Sequence, residues 1–334
     1  MFGKLLARGR QICGLSLGAG LLGAFVLTLR YASRPSAKPK LPDSISPAIF
    51  ATRIFYTTRG QLVYHESGQG GPLVFLHGIY VGASSYEWSR VYPHFTGTHK
   101  VLAPDMLGFG ESERPDIPLS ATDHVQAFVE FIRSKSGGEP ASIVASGFGA
   151  GFATILAAQH PEIVQRLILL MPVGRVAVGR CRLPERFRLF SRAPLIKRAY
   201  YRHYLSARTQ IRAWLKNFAF VNPEKIADET IEVLTNCAQQ FGAERAIFHW
   251  LSGRFDFDLE KRLAELPQPV TLIWGENAVN PPLESGSRLQ TVAKQCSLVV
   301  LPDSGLLAPL ESPTQVAEAL FKELDSTIRM YKAG

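Results

Sequence analysis

The spacing of apolar residues alternates between two patterns over most of the chain. Short runs of β-branched and other apolar residues predict strands at 54–58, 61–65, 72–76, 101–104, 142–145, 167–171, 269–274 and 297–301. Apolar residues at helical spacing predict helices at 122–133, 152–159, 283–293 and 313–328. The first two strands are joined at Arg59-Gly60 as a hairpin. The alternation that follows predicts an α/β fold with a mostly parallel, doubly wound sheet.

This pattern is interrupted between residues 176 and 264, where helical runs follow one another without a β-rich segment. We interpret this stretch as a helical insertion, called the cap, in a single α/β core made of residues 52–175 and 265–334. Residues 31–51 are rich in proline and serine and predict an extended tether. Residues 1–30 then form a separate N-terminal segment.

The N-terminal segment contains 18 consecutive uncharged residues, Ile12–Leu29. As a helix this run reaches about 27 Å, close to the ~30 Å hydrocarbon thickness of a bilayer. A cleaved signal peptide is the alternative, because Lys4, Arg8 and Arg10 precede the run. The run is long for a signal peptide, however, and Arg30 follows it where a small-residue cleavage site is needed. We therefore expect a single-pass membrane anchor.

Small residues are spaced four apart within this run, at Gly14 and Gly18 and at Gly20 and Ala24. Such spacing lets two membrane helices approach closely, so a homodimer through this helix is one expectation. Basic residues lie on both sides of the run and leave its orientation open.

Positive charge is concentrated in two stretches of a chain whose net charge is +9. Residues 1–41 carry seven Lys or Arg and no acid, and residues 175–216 carry ten Arg and two Lys against one Glu. Aromatic residues are interleaved with the second stretch, as expected for a surface that rests on anionic lipid headgroups. The candidate membrane-facing residues are Arg182, Arg186, Arg188 and Arg192. A solvated face of amphipathic helices is the alternative, and no nucleic-acid-binding fold accompanies the charge.

The composition, with 46% hydrophobic and 19% charged residues, is that of an ordinary globular protein. Its four cysteines, Cys13, Cys181, Cys237 and Cys296, contain no C-x-x-C pair. Neither a zinc site nor a disulfide framework is predicted, and we expect no metal and no cofactor.

One segment joins a predicted strand to a predicted helix through a glycine-rich corner: residues 140–162, PASIVASGFGAGFATILAAQHPE. Together with VFLHG at 74–78 and PDMLGFG at 104–110, this segment resembles the α/β-hydrolase family. The resemblance runs from about residue 53 to about residue 330. It implies the α/β-hydrolase fold, with the cap inserted over the active site.

In that family the corner is the nucleophile elbow, a G-x-S-x-G motif with small residues two places either side of the serine. Ala145 and Gly149 occupy those small positions, so the resemblance places Gly147 where the serine stands. It also implies two backbone oxyanion donors, the N–H of Ile79 after His77-Gly78 and the N–H of Phe148.

The other two positions of the family's catalytic triad are also replaced. The family's G-x-x-D element matches GENA at 275–278, which places Ala278 at the acid position. The loop after the last strand carries Leu306 where the family has its histidine. The resemblance therefore implies a pocket lined by six residues: Gly78, Ile79, Gly147, Phe148, Ala278 and Leu306.

Displaced catalytic residues are the alternative to a degenerate site, and Ser146 and His249 are the candidates. We expect His77 to be structural, Asp105 to form a turn, and His124 to lie at the start of a surface helix. The hairpin histidine, His65, is expected away from the site, as are His94, His99 and His160.

A glycine has no atom that could attack a carbonyl, so the residues favour a membrane-anchored, catalytically degenerate member of the family. We expect it to bind a small apolar or lipid-like ligand, or a protein partner, in the former active-site cleft. The family's non-enzymatic branches, such as the N-myc downstream-regulated proteins, are comparable. Two alternatives stay open: an esterase- or lipase-like hydrolase using displaced residues, and a structural or assembly protein at the membrane.

Overall fold

The computed structural model describes residues 45–175, 177–178, 181–182, 194–293 and 295–332. The predicted anchor and residues 31–44 of the predicted tether lie outside these residues. Within the described part of the chain, no helix is both long and apolar enough to cross a bilayer.

Eight of the described strands form one sheet. They are β1 (Ala51–Thr57), β2 (Gly60–Ser67), β3 (Gly71–Leu76), β4 (His99–Pro104), β5 (Ala141–Ser146), β6 (Val164–Leu170), β9 (Val270–Gly275) and β10 (Cys296–Leu301). Their order is β1-β2-β4-β3-β5-β6-β9-β10. β1 and β2 form an antiparallel hairpin, β2 pairs antiparallel with β4, and the other pairs are parallel. The predicted mostly parallel α/β sheet is confirmed.

The strand register brings the carboxyl ends of the parallel strands to one edge. Leu76 lies opposite Ala145, Ser146 opposite Leu170, and Gly275 opposite Leu301. The segments that follow these strands therefore emerge side by side, which is where ligands bind in open α/β sheets.

Helices cover both faces of the sheet. Outside the cap they are α1 (Ala121–Lys135), α2 (Gly147–Gln159), α8 (Leu283–Val292), α9 (Ala308–Glu311) and α10 (Pro313–Lys332). α1 starts with a capping box, in which Ser120 and Asp123 bond each other's backbone N–H. α2 starts five residues before the predicted position. The prediction missed these residues because the first turn is rich in glycine, which has a low helix propensity.

The cap contains a small pair of strands and several helices. The strands are β7 (Ala177–Val178) and β8 (Cys181–Arg182), and the helices are α3 (Pro194–Tyr200), α4 (Arg208–Trp214), α5 (Asp228–Ala238), α6 (Ala243–Leu251) and α7 (Leu259–Ala264). The expectation of a cap without strands was wrong in this detail, since β7 and β8 pair antiparallel. Two-residue strands are too short to show an alternating pattern in sequence.

The cap is fixed to the core by polar and aromatic contacts. The buried Glu311 carboxylate accepts hydrogen bonds from the N–H groups of Val221 and Asn222 in the cap and of Gly305 in the core, at 2.8, 2.8 and 2.9 Å. Tyr80 stacks on Trp214 with ring centroids 5.1 Å apart. These contacts close the cap over the carboxyl edge of the sheet.

Candidate active-site cleft

The elbow is centred on Gly147, whose φ is +52°, in the left-handed region that L side chains rarely adopt. A Cβ built at Gly147 meets nothing closer than the Gly78 Cα, at 3.6 Å. At Gly149, in contrast, a Cβ would lie 2.2 Å from the His77 carbonyl oxygen. The corner therefore requires glycine at position 149 and leaves space for a side chain at position 147, where there is none.

His77 holds the loop that faces the elbow. Its Nε2 accepts the Met106 N–H at 3.0 Å, so Nδ1 carries the proton and donates to the Gly78 carbonyl at 2.7 Å. Burial lowers the pKa of His77 and keeps the ring neutral. With both nitrogens engaged, His77 fixes the loop of Gly78 and Ile79.

Ser146, the last residue of β5, donates a hydrogen bond to Glu87 with the two oxygens 2.5 Å apart. The other Glu87 oxygen accepts the Gly78 N–H at 2.9 Å. Both side chains are buried. Burial raises the pKa of Glu87 to about 7, while hydrogen bonds from Ser146, Gly78 and Tyr80 oppose the rise. The pair thus joins a serine to a carboxyl group that titrates near neutral pH.

Sequence reasoning missed Glu87. It lies 59 residues from Ser146 in a short 3₁₀ helix, Ser85–Trp88, and its local sequence carries no motif. Only the fold, which places this helix under the elbow, brings the two side chains together.

Ala278 and Leu306 follow β9 and β10. Ala278 is buried, and its N–H donates to the Gly275 carbonyl at 3.1 Å. Leu306 is half-buried, and the next residue, Leu307, donates its N–H to the cap carbonyl of Ala219 at 3.1 Å. At these two positions, therefore, the side chains are apolar.

The cap helix α6 packs over the elbow. The Trp250 ring meets the Phe148 ring edge-on at 6.2 Å. The Nε1 of Trp250 and the Nδ1 of His249 are buried and have no hydrogen-bond partner among the described residues. Burial, with Arg254 the largest of the nearby positive charges, lowers the pKa of His249 to about 4. At neutral pH its ring is therefore uncharged.

His124 lies in the first turn of α1, as expected, but its side chain is turned inward and does not face solvent. It is 1% exposed, stacks on Phe152 at 5.1 Å and meets Phe255 edge-on at 5.0 Å. Burial lowers the pKa of His124 to about 3. His124 is buried because it lies on the side of α1 that faces the core.

Asp105 forms a turn, with its carboxylate accepting the N–H groups of Ser85 and Glu111 at 2.6 and 2.8 Å. His65 lies on β2 of the opening hairpin, as expected, and its ring is beside Asp105 and Glu111. These three side chains are close enough to share a cation.

Part of the basic stretch is paired within the cap. Arg198 lies 3.4 Å from Glu244, and Arg208 and Arg212 lie 3.5 and 2.8 Å from Asp228. Of the four predicted membrane-facing residues, the backbone of Arg182 lies in β8, and Arg186, Arg188 and Arg192 lie outside the described residues.

The sequence model of the alpha/beta hydrolase family matches residues 73–319. Since this match covers more than half of the chain, the protein belongs to that family, and the predicted resemblance is confirmed.

Two proteins that are similar to this chain are named as hydrolases. The chain is 39% identical over 115 residues to 2-hydroxymuconate semialdehyde hydrolase from Pseudomonas sp. strain CF600, a match that covers 33% of this chain and 39% of that protein. It is 25% identical to 2-hydroxy-6-oxo-6-(2'-aminophenyl)hexa-2,4-dienoic acid hydrolase from Metapseudomonas resinovorans, covering 81% of this chain and 90% of that protein.

Solved structures share the fold at lower identity. A serine hydrolase involved in carbazole degradation superposes with a TM-score of 0.69 at 22% identity, covering 83% of this chain and 99% of the other. A membrane phospholipase A, described as a bacterial virulence factor, gives a TM-score of 0.68 at 23% identity, covering 98% and 99%.

Proposed function

We propose that the cleft between the elbow and the cap binds a small apolar or lipid-like molecule without forming a covalent bond to it. The observation that carries this proposal is the elbow itself. Gly147 has the left-handed backbone and the space that a nucleophile needs, but it has no side chain. A covalent acyl intermediate at this position has no attacking atom.

The surroundings of Gly147 support an apolar ligand with a polar end. Ala278 and Leu306, where the resemblance places the family's acid and histidine, are apolar. The Trp250 ring on α6 contacts the ring of Phe148, the residue after Gly147. Buried polar atoms normally have partners, and the unpaired nitrogens of Trp250 and His249 are suited to a polar group on the ligand.

The proposal includes membrane attachment through Ile12–Leu29, which would hold the cleft near a lipid source. This part rests on sequence alone, as does dimerisation through the same helix. Two alternatives are a protein partner bound in the cleft and a purely structural role at the membrane. The binding experiment separates the proposal from both.

A fluorescent fatty acid, cis-parinaric acid, tests the proposal in titrations of the detergent-solubilised full chain. We expect saturable binding that Leu306→Asn weakens by more than about tenfold, since a polar group then faces the ligand's hydrocarbon. Val300→Asn is the matched control, because Val300 is an exposed apolar residue on β10. Absence of saturable binding, or equal loss in both variants, would overturn the proposal.

A hydrolase using Ser146 and Glu87 is the second candidate. The hydrogen bond between them favours it, and so does the similarity to two proteins named as hydrolases. The elbow geometry favours binding alone, because Ser146 precedes the elbow position and is buried.

In this candidate, Glu87 is the general base for Ser146. Ionised Glu87 takes the Ser146 proton as Oγ attacks an ester carbonyl, and the N–H groups of Ile79 and Phe148 stabilise the oxyanion. The leaving alcohol receives that proton from Glu87. Water then gives a proton to Glu87 as it attacks the acyl carbonyl; the acyl–Oγ bond breaks, the acid leaves, and Glu87 returns the proton to Ser146 Oγ.

Ester hydrolysis by this pair should increase as the pH rises through about 7, because Glu87 must be ionised to act as the base. Ser146→Ala should abolish it, and Ser142→Ala, four residues earlier on the same strand, should not. A rate unaffected by Ser146→Ala would exclude this candidate.

A further inference from the structure

We infer that His65, Asp105 and Glu111 form a binding site for a first-row divalent cation between β2 and the loop that follows β4. Each residue offers one ligand atom, and the three atoms lie within 4.8 Å of one another. His65 is 40 positions before Asp105, and Asp105 is 6 positions before Glu111. No short sequence motif contains all three, and we therefore expected no metal from the sequence.

His65 supplies the independent observation that points to a ligand. Its side chain is 1% exposed, and its Nε2 is buried without a hydrogen-bond partner among the described residues. The nearest carboxylate oxygen, on Glu111, is 3.7 Å away, which is too long for a hydrogen bond. A buried imidazole nitrogen without a partner is costly unless something binds it.

The other nitrogen of His65 has a hydrogen-bond partner. Nδ1 lies 3.1 Å from the Thr52 hydroxyl oxygen, which can accept its proton. In the tautomer in which Nδ1–H donates to Thr52, the free lone pair is on Nε2, the nitrogen nearer Glu111. A ligand histidine commonly donates its second N–H in this way.

The carboxylates retain lone pairs for a cation. Asp105 is fully buried, and each of its oxygens accepts one backbone N–H, from Ser85 and Glu111, which leaves one lone pair on each oxygen. Within the described ranges, no Lys or Arg nitrogen lies within 4.0 Å of either carboxylate. The guanidinium of Arg114 donates to the carbonyls of Gly110 and Ser112 instead. A bound cation would neutralise both acids.

One nitrogen and two carboxylate oxygens suit Zn²⁺ or Mn²⁺ better than Ca²⁺, which takes six or more oxygen ligands. Ligand atoms at ~2.1 Å from a cation lie roughly 3.0–3.5 Å apart. The Glu111 side chain is 22% exposed, so a cation can reach the site from solvent on this side. The same side chain is free to move inward and shorten its distance to the cation.

Such a cation would clamp the opening hairpin to the loop of Asp105. Because Asp105 also holds the first residue of the 3₁₀ helix that carries Glu87, the clamp would stabilise one wall of the cleft. The inferred role is structural.

The test is metal retention by the full chain after removal of metals with EDTA and addition of Zn²⁺ or Mn²⁺. After desalting, elemental analysis should give about one equivalent of metal per chain, and the melting temperature should rise. The electron paramagnetic resonance signal of free Mn²⁺ should also decrease when the ion binds to the protein.

His65→Gln and Glu111→Gln should each weaken retention by more than about tenfold. Each should also melt at the temperature of the metal-free wild type, with no increase on metal addition. Glu66→Gln, next to His65 on β2, and His160→Gln are the matched controls and should retain metal. Retention below about a fifth of an equivalent by the wild type, or equal retention by either ligand variant, would overturn the inference.

Discussion

Gly147 and Gly149 differ in what a side chain would meet, and this difference gives the first prediction. Gly149→Ala forces a Cβ to 2.2 Å from the His77 carbonyl and should destabilise the fold by about 3 kcal/mol or more. Gly147→Ala has space and is limited by its φ of +52°, so it should cost about 1 kcal/mol. Urea denaturation of both variants measures the difference, and equal losses would contradict the elbow geometry.

Glu87 gives a prediction on pH. Its pKa is raised to about 7 in the folded chain, so the protonated carboxyl favours the fold. Stability from this group is complete below the unfolded pKa near 4.3 and is lost as the pH rises through about 7. Glu87→Gln mimics the protonated form, so it should stabilise the protein at pH 8 by about 1–3 kcal/mol and have little effect at pH 5.

Thermal denaturation between pH 5 and 8 measures this effect, with exposed Glu139→Gln as the control. In the metal-free wild type, Glu111 contributes to the pH dependence in the same direction, because burial raises its pKa to about 7. The dependence should therefore be reduced, not abolished, in Glu87→Gln. An unchanged profile would show that Glu87 titrates in its ordinary range.

At the scale of single residues, the elbow positions could be predicted from the sequence, but the side chains that contact them could not. The small-residue spacing around Gly147 is local and visible in the motif. The contacts of Ser146 with Glu87, and of His65 with Asp105, join residues far apart in sequence, and nothing in their local composition announces them.

Among the elements, α9 carries the contact that joins the cap to the loop of Leu306. Replacing Glu311 by Gln removes the charge that accepts three backbone N–H groups and turns an amide N–H₂ toward one of them. We expect a loss of about 3 kcal/mol. Chemical denaturation measures it, and exposed Glu318→Gln on α10 should be neutral. A neutral Glu311→Gln would mean that other contacts hold the cap.

Strands were easier to predict than element ends or the short cap strands. The buried strands β3, β5 and β9 read as continuous apolar runs, as expected for parallel strands covered on both faces. The start of α2 was missed because glycine gives no helical signal, and β7 and β8 are too short to show a period.

For the molecule as a whole, the cap's basic stretch predicts salt-sensitive binding to anionic lipid. Each Lys or Arg near headgroups contributes up to ~1 kcal/mol, screened over about 8 Å at physiological salt. A truncated chain beginning at Pro42 should sediment with phosphatidylserine vesicles at low salt and be released at high salt. The pairing of Arg208 and Arg212 with Asp228 reduces the cations available.

Exchanging Arg182, Arg186, Arg188 and Arg192 for Gln should abolish sedimentation while leaving the circular dichroism spectrum unchanged. If the unaltered truncated chain ignores acidic vesicles at low salt, the stretch is a solvated or internally paired face.

The fold of the whole molecule was predictable because its strand–helix alternation is a repeated local signal that fixes few topologies. The ligand was not, because apolar residues such as Ala278 and Leu306 specify a cavity without specifying its occupant.

Intact-protein mass spectrometry after exposure to a fluorophosphonate probe tests most directly whether the cleft binds its ligand without covalent chemistry. Because Gly147 offers no nucleophile, the full chain should keep its unmodified mass. Stoichiometric labelling that Ser146→Ala abolishes and Ser142→Ala preserves would contradict this claim and assign the chemistry to the pair of Ser146 and Glu87.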